Sequence, residues 1–368
     1  MKRFLTILLF IAILTPFAKG QYTTDSKQVT VVYLLPLNSS SVEQSKSVNM
    51  KESKDIDRTF AKSVIGFWCG AQIALDELAE KGRNLKVIAR EVNSSDSAKL
   101  ESIFEEEDVK NAQLIIAPVP KNMFPLVAAH AKRLHIPVVN PLSPNSDIIN
   151  GNSYVYKMFP HPDAKAAAIV EQFPDAHFII WGKSHSNEYE NYFKSQGIPY
   201  DTLAESSSFT SHFQSEVQNV VIACTENPNS YTEVAFNLSN RSRVPDFCWV
   251  IPENLLNSNG FDLTVLSPFN LYFFSPFFVD ENAERVEIFR DSYVRTYYTL
   301  PSLKNFAYQG YDATCFFIEL ICNDFHVPND FEPLSCQFKF RRPDKSNGFE
   351  NYGIRLVNLK HLQSTIIQ

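Results

Sequence analysis

Glu253 stands in the pair Pro252-Glu253 directly after the apolar run Cys248 to Ile251, and Glu226 follows the run Val220 to Thr225. A carboxylate released at the end of a buried strand can pair with a cation on a ligand, or it can be an ordinary loop acid in water. Gly182-Lys183-Ser184-His185-Ser186 also follows a strand-like run and precedes a helix-like one. It nearly spells the turn that exposes a nucleophilic serine, but Ser186 stands where that turn needs a smaller residue. A capped strand-to-helix loop that brings Lys183 to a cleft is therefore expected, and no hydrolase chemistry. Ser143 and Asn145 lie in the stretch Asn140 to Asp147, rich in Ser, Asn and Pro, where a hydroxyl can bind an anion or cap the turn. Tyr308, Tyr311 and Asp312 flank a helix start and can serve either a cleft or core packing. Neither CxxC nor HExxH spacing occurs, so no metal or other cofactor is expected.

Side chains of this kind need strands that end side by side. Leu114 to Ile116 is a short continuous apolar run, as in a strand buried on both faces. Pro118 and Pro120 end it, because proline cannot donate to a ladder. Asn122 can cap the helix that follows, with Met123, Val127, Ala131 and Leu134 on one face, and Ile136 to Val139 is a second buried strand. A strand, helix, strand unit makes the two strands parallel, and ligands of open parallel sheets sit at the loops after such strands.

The same alternation runs through the chain. Gln28 to Leu35 reads as a strand, 38–58 as a long polar loop that is either a lid or simple disorder, and Val64, Phe67, Trp68, Ala71, Leu75 and Leu78 as a helix face closed by Gly82. Strands follow at Leu85 to Ala89 and Tyr154 to Met158, after which Phe159-Pro160-His161-Pro162 breaks the chain. A second block then alternates helix and strand from Ala164 to Ser275, including a helix over Ser211 to Gln218. Helices over Glu281 to Tyr298 and Phe306 to Cys322 come next, then strand pieces QFKF and GIRLVNL joined through a hairpin turn at Asn347-Gly348. Two blocks of alternating strand and helix predict an α/β protein of two doubly wound lobes.

Lys2 and Arg3, the apolar run Phe4 to Phe17, then Ala18 and Gly20 read as a secretory signal peptide cleaved after Gly20. The run is shorter than the ~20 residues that span a bilayer, so a periplasmic chain that does not itself cross the membrane is expected. Of 34 Lys and Arg, three lie in that segment, and the remaining 31 against 41 Asp and Glu give a net charge of −10, which argues against a nucleic-acid partner. Of six cysteines, four sit in strand-like or helix-like runs as buried small hydrophobes, and Cys322 with Cys336 is the one pair considered for a bridge.

The ordered set FWCGAQIALDELAEKG, LIIAPV, IPVVNPLS, IPEN and AYQGYDAT resembles the type 1 periplasmic binding proteins, nearest the leucine/isoleucine/valine-binding group in a divergent Bacteroidetes branch. The resemblance implies two Rossmann-like lobes joined by three crossover strands and closing on a small ligand. Breakers in the double alternation of strand and helix place the crossings near Phe159, Pro301 and Pro333, with residues 21–158 and 301–333 as lobe one and 159–300 and 334–368 as lobe two. In amino-acid binders of that group, lobe-one loops hold the ligand carboxylate and a lobe-two carboxylate holds the ammonium. The matching positions here are Pro118 to Pro120, Ser143 and Glu253. Two features depart from the pattern: the prolines remove N–H donors from the first loop, and 38–58 replaces a short glycine-bearing turn.

The expected function is therefore capture of a small polar solute, an amino acid or a related compound, on behalf of a membrane transporter or sensor, with no enzyme activity. The alternative is a fold relative without small-ligand binding that acts through its surface as an envelope or cell-wall-associated interaction module.

Overall fold

A computed structural model describes residues 28–37, 53–93, 96–240, 246–327, 331–361 and 363–367, with side chains in the first helix from Phe60 onward. The signal-like segment, and the part of the polar loop at 38–52, lie outside the described residues. Residues 53–58 of that loop instead begin the first helix.

In chain order the elements are β1 (Val29–Leu35), α1 (Ser53–Glu80), β2 (Leu85–Glu91), α2 (Ser97–Glu105), α3 (Glu107–Lys110), β3 (Leu114–Ile116), α4 (Phe124–Leu134), β4 (Val138–Asn140) and β5 (Val155–Pro160). Then come α5 (Ala164–Gln172), β6 (His177–Gly182), α6 (Asn187–Gln196), β7 (Tyr200–Leu203), β8 (Asn219–Cys224), α7 (Pro228–Ser239), β9 (Cys248–Val250), α8 (Leu263–Leu266) and β10 (Asn270–Ser275). The chain finishes with α9 (Glu284–Tyr297), α10 (Ala307–Cys322), β11 (Phe340–Arg341), β12 (Phe349–Asn351), β13 (Arg355–Lys360) and β14 (Gln363–Ile366).

Two seven-stranded sheets result, ordered β11-β12-β5-β4-β3-β1-β2 and β14-β13-β10-β9-β8-β6-β7. Each is parallel through its middle with antiparallel pairs at one edge. Helices cover both faces, so alternate residues of one strand enter different cores. Val32 and Leu34 pack under α2 and α4, while Val31 and Tyr33 meet Phe67 and Phe316 of the long helices. This is why β1 is continuously apolar from Val31 to Leu35 rather than alternating. Among the described residues no helix is long and apolar enough to cross a membrane.

The chain passes between sheets three times. The first passage follows β5, where the Phe159 break was expected. The second follows β10: Phe289 and Val286 of α9 share a core with Ile73 and Ala74 of α1, so α9 belongs with lobe one and the passage lies near Pro276 rather than Pro301. The third joins β12 to β13. Residues 340–351 pair within the first sheet and 355–360 within the second, so the passage lies near Gly353 and not Pro333. Pro301 and Pro333 break the chain inside lobe one, where a loop suffices. The Asn347-Gly348 turn accordingly closes β11 on β12, not QFKF on GIRLVNL. The helix expected over Ser211 to Gln218 is a single 3-10 turn at Phe209–His212, held by the burial of Phe209 beside Trp181 and Trp249. All six cysteines are free, Cys322 and Cys336 among them.

The lobe-two core also contains an informative pair. Trp181 Nε1 donates to the Glu205 carbonyl at 3.1 Å, whereas Trp249 Nε1 is buried without a partner. A buried donor left unpaired costs about 1–3 kcal/mol, so Trp249→Phe removes a liability while Trp181→Phe strands a carbonyl. Urea unfolding should show Trp181→Phe to be the more destabilising by about 1 kcal/mol; the reverse order would contradict this assignment.

Candidate functional site

The carboxyl ends of β6, β8 and β9 meet the three passages at a cavity of about 530 Å³. Its apolar wall includes Phe159, Tyr189, Ile251, Phe274 and Ile354. Its polar groups include three carboxylates, Glu188, Glu226 and Glu253, with Lys165, His161 and His185. A mainly apolar concavity with a few convergent polar groups is the usual form of a small-molecule site.

Glu253 opens the 3-10 turn that follows β9. It is partly buried, and its Oε1 accepts the Ser275 hydroxyl at 2.6 Å. Burial pushes its carboxyl above the ordinary carboxylate range, opposed by the Ser275 bond and by the charge of Lys165. Lys165 itself pairs with Glu188, Nζ to Oε2 3.1 Å. His185 lies between the other two acids, 3.6 Å from Glu188 and 3.6 Å from Glu226. The wall is therefore acidic in balance, and the ammonium nearest Glu253 is shared with a second carboxylate.

Gly182 makes the chain reversal above β6 possible. At φ +93° a Cβ there would lie 2.3 Å from the Cys224 carbonyl oxygen, which instead receives the Ser184 N–H at 2.7 Å. Ser186 at the head of α6 makes no side-chain cap, so the capped loop that the sequence suggests is not formed there, and the imidazole beside Ser184 faces acids. Lys183 is exposed next to the cavity, with Ser184 and His185 forming the lining at this point.

The lobe-one candidates fall differently. Ser143 is buried, and its Oγ accepts the Asn145 N–H at 3.3 Å, while Asn145 Oδ1 accepts the Asp147 N–H at 3.2 Å. Both side chains thus hold turns, and Pro144 between them is what reaches the cavity. Pro118 and Pro120 do not line it. Pro118 is buried, and the Pro120 carbonyl accepts Met123 N–H at 3.0 Å at the start of α4, where the Asn122 cap was expected. Tyr308 and Asp312 do not line the cavity either. Tyr308 packs on Phe289 in the core between α9 and α10. Asp312 is fully buried, and its carboxylate accepts the N–H groups of Leu334, Ser335 and Cys336 and the Ser335 hydroxyl. Burial pushes its carboxyl up and those four donors pull it back. Asp312 is a fastener for the segment between α10 and β11.

Lys165, Glu188 and His161 were not foreseen. The first two sit on helices whose sequence shows only charged residues of an amphipathic pattern, and in the sequence His161 stands only within the break Phe159-Pro160-His161-Pro162. Only the meeting of α5, α6 and the passages reveals them.

No protein-family model matches the sequence, and no curated protein matches it. Solved structures do match in shape. One, from Rhodospirillum rubrum and described as a candidate branched-chain amino acid ABC transporter, superposes with TM-score 0.57 at 12% identity, over 93% of this chain and all of that one. Another is described as a branched chain amino acid ABC transporter periplasmic ligand-binding protein from Burkholderia xenovorans. It gives TM-score 0.50 at 12% identity, over 93% of this chain and 95% of that one. The fold is that of the type 1 periplasmic binding proteins.

Proposed function

We propose that the chain is an exported, periplasmic receptor, cleaved after Gly20, that captures a small solute between its lobes and presents it to a membrane transporter or sensor. The solute carries an apolar body and a cationic group, as an amino acid or related amine does. The observation that carries this reading is Glu253, a partly buried carboxylate at a strand end inside the cavity whose one short contact is a hydroxyl. A cation brought there by a solute would gain a desolvated partner. The description of the Burkholderia structure as a periplasmic ligand-binding protein supports the same reading. An enzyme is not proposed, since the imidazole nitrogens of His185 lie near acids rather than beside a nucleophile.

One observation favours the surface-acting alternative: among the described residues beyond the passages, lobe one offers the cavity only Pro144. A melting screen separates the two. A specific solute at 100 times its dissociation constant adds ~2.7 kcal/mol of stability. Amino acids, amines, short peptides and peptidoglycan fragments should include at least one such compound, and its uncharged isostere should fail. Stabilisation by none of them would favour the surface-acting module.

A further inference from the structure

We infer that the solute taken by the cavity is a diamine, with an ammonium at each end of a short alkyl chain and no carboxylate, and that Glu226 is the residue that selects its second ammonium. This narrows the function proposed above and rests on it. Among the described residues that line the cavity, Lys165 is the only ammonium or guanidinium, against Glu188, Glu226 and Glu253. With the imidazoles neutral, three carboxylates against one ammonium leave two negative charges in excess. Lys165 is taken up by Glu188 at 3.1 Å. Lys183 beside the cavity is not in the lining, and its charge acts on Glu190, which is outside it. The excess therefore lies on Glu253, whose short contact is the Ser275 hydroxyl, and on Glu226, whose neighbour is the His185 ring at 3.6 Å.

These two carboxylates end neighbouring strands. β8 and β9 pair in parallel with Ile222 beside Val250, and Glu226 lies four residues beyond the first and Glu253 three beyond the second. Neighbouring strands are ~4.8 Å apart, so one small solute can meet both. Glu253 is the inner partner. Glu226 is the outer one, its side chain 56% exposed. The apolar wall of Tyr189, Ile251 and Phe274 suits the methylenes of a spacer.

The same lining disfavours a carboxylate on the solute. Pro144, Pro160, Pro162, Pro252 and Pro276 all face the cavity, and proline has no N–H to offer. Two other main-chain donors of the lining are already engaged, His161 N–H by the Asn351 carbonyl at 2.7 Å and Ser184 N–H by the Cys224 carbonyl at 2.7 Å. A carboxylate would thus enter a wall of its own sign in which prolines have thinned the donors, and a charge taken out of water unpaired is costly. An amino acid brings that group; a diamine does not.

The test is calorimetric titration of the full chain with cadaverine, with lysine, which is cadaverine plus a carboxylate, with pentylamine, which lacks the second ammonium, and with leucine. At about pH 8 imidazoles are ordinarily neutral and alkylamines still charged. Cadaverine should bind about fivefold more tightly than pentylamine, as expected of an ion pair with a half-exposed partner. Lysine and leucine should bind at least about tenfold more weakly than cadaverine. Glu226→Gln, a change at an exposed side chain, should abolish the advantage of cadaverine and leave pentylamine within about twofold, whereas Glu253→Gln should weaken both. Leucine, lysine or pentylamine binding as tightly as cadaverine, or an advantage of cadaverine that survives in Glu226→Gln, would overturn the diamine while leaving capture at Glu253 in place. Binding of none of the four to the parent chain would overturn it too, and the melting screen then decides whether capture itself survives.

Discussion

Gly70→Ala is expected to cost ~3 kcal/mol or more and Gly70→Val to prevent folding. On α1, Gly66 and Gly70 face Asn305, Ala307 and, through Phe67, Gly310 of α10. A Cβ built on Gly70 would lie 1.8 Å from the Ala307 carbonyl oxygen and 2.7 Å from its carbon, which is backbone that cannot rotate away. The two helices would have to separate, and the core of Phe67, Ala71, Phe316 and Ile318 would separate with them. Gly82→Ala is the control. Gly82 has φ +82° but no atom within 4 Å of its Cβ position, so the substitution meets only backbone strain, about 1–2 kcal/mol. Urea midpoints should rank the parent chain above Gly82→Ala, and both above Gly70→Ala. A Gly70→Ala protein as stable as Gly82→Ala would show that the helices do not cross so closely.

Asp312→Ala is expected to cost ~4 kcal/mol. Its four donors come from three consecutive residues, and two of them meet the other lobe through other atoms. Arg355 of β13 donates to the carbonyls of Ser335 at 3.2 Å and Cys336 at 3.1 Å, and Phe278 N–H donates to that of Ser335 at 3.0 Å. Removing the carboxylate strands buried N–H groups at the point where the second and third passages converge. Asp312→Asn keeps one acceptor oxygen and should lose about half as much. Denaturant unfolding measures both; a loss under about 1 kcal/mol for Asp312→Ala would contradict the fastening role.

The strands were legible because both faces of each sheet are covered, which leaves uninterrupted apolar runs such as Val31 to Leu35 and Val220 to Cys224 in the sequence. Glu226 and Glu253 were legible for the same reason, since each follows directly on such a run and both line the cavity. The lobe-one candidates were not. A serine, an asparagine and an aspartate near helix or strand ends have the same spelling whether they meet a ligand or satisfy the backbone, and here Ser143, Asn145 and Asp312 do the latter. Proline marks a break without saying what lies beyond it, so Pro301 and Pro333 suggested passages that occur near Pro276 and Gly353. Lys157 and Glu350, a buried ion pair, are separated by almost two hundred residues and meet only through pairing of β12 with β5. No local pattern announces such a pair.

Calorimetric titration of the strongest compound from the melting screen into the parent chain, Glu253→Gln and Ser143→Ala tests capture at Glu253 directly. Truncating one partner of a buried charge pair costs ~2 to 5 kcal/mol, so Glu253→Gln should bind at least ~30-fold more weakly. Ser143→Ala should stay within about threefold of the parent, because that hydroxyl already serves the Asn145 turn. Parent-like affinity in Glu253→Gln would place the solute elsewhere and contradict the proposed site.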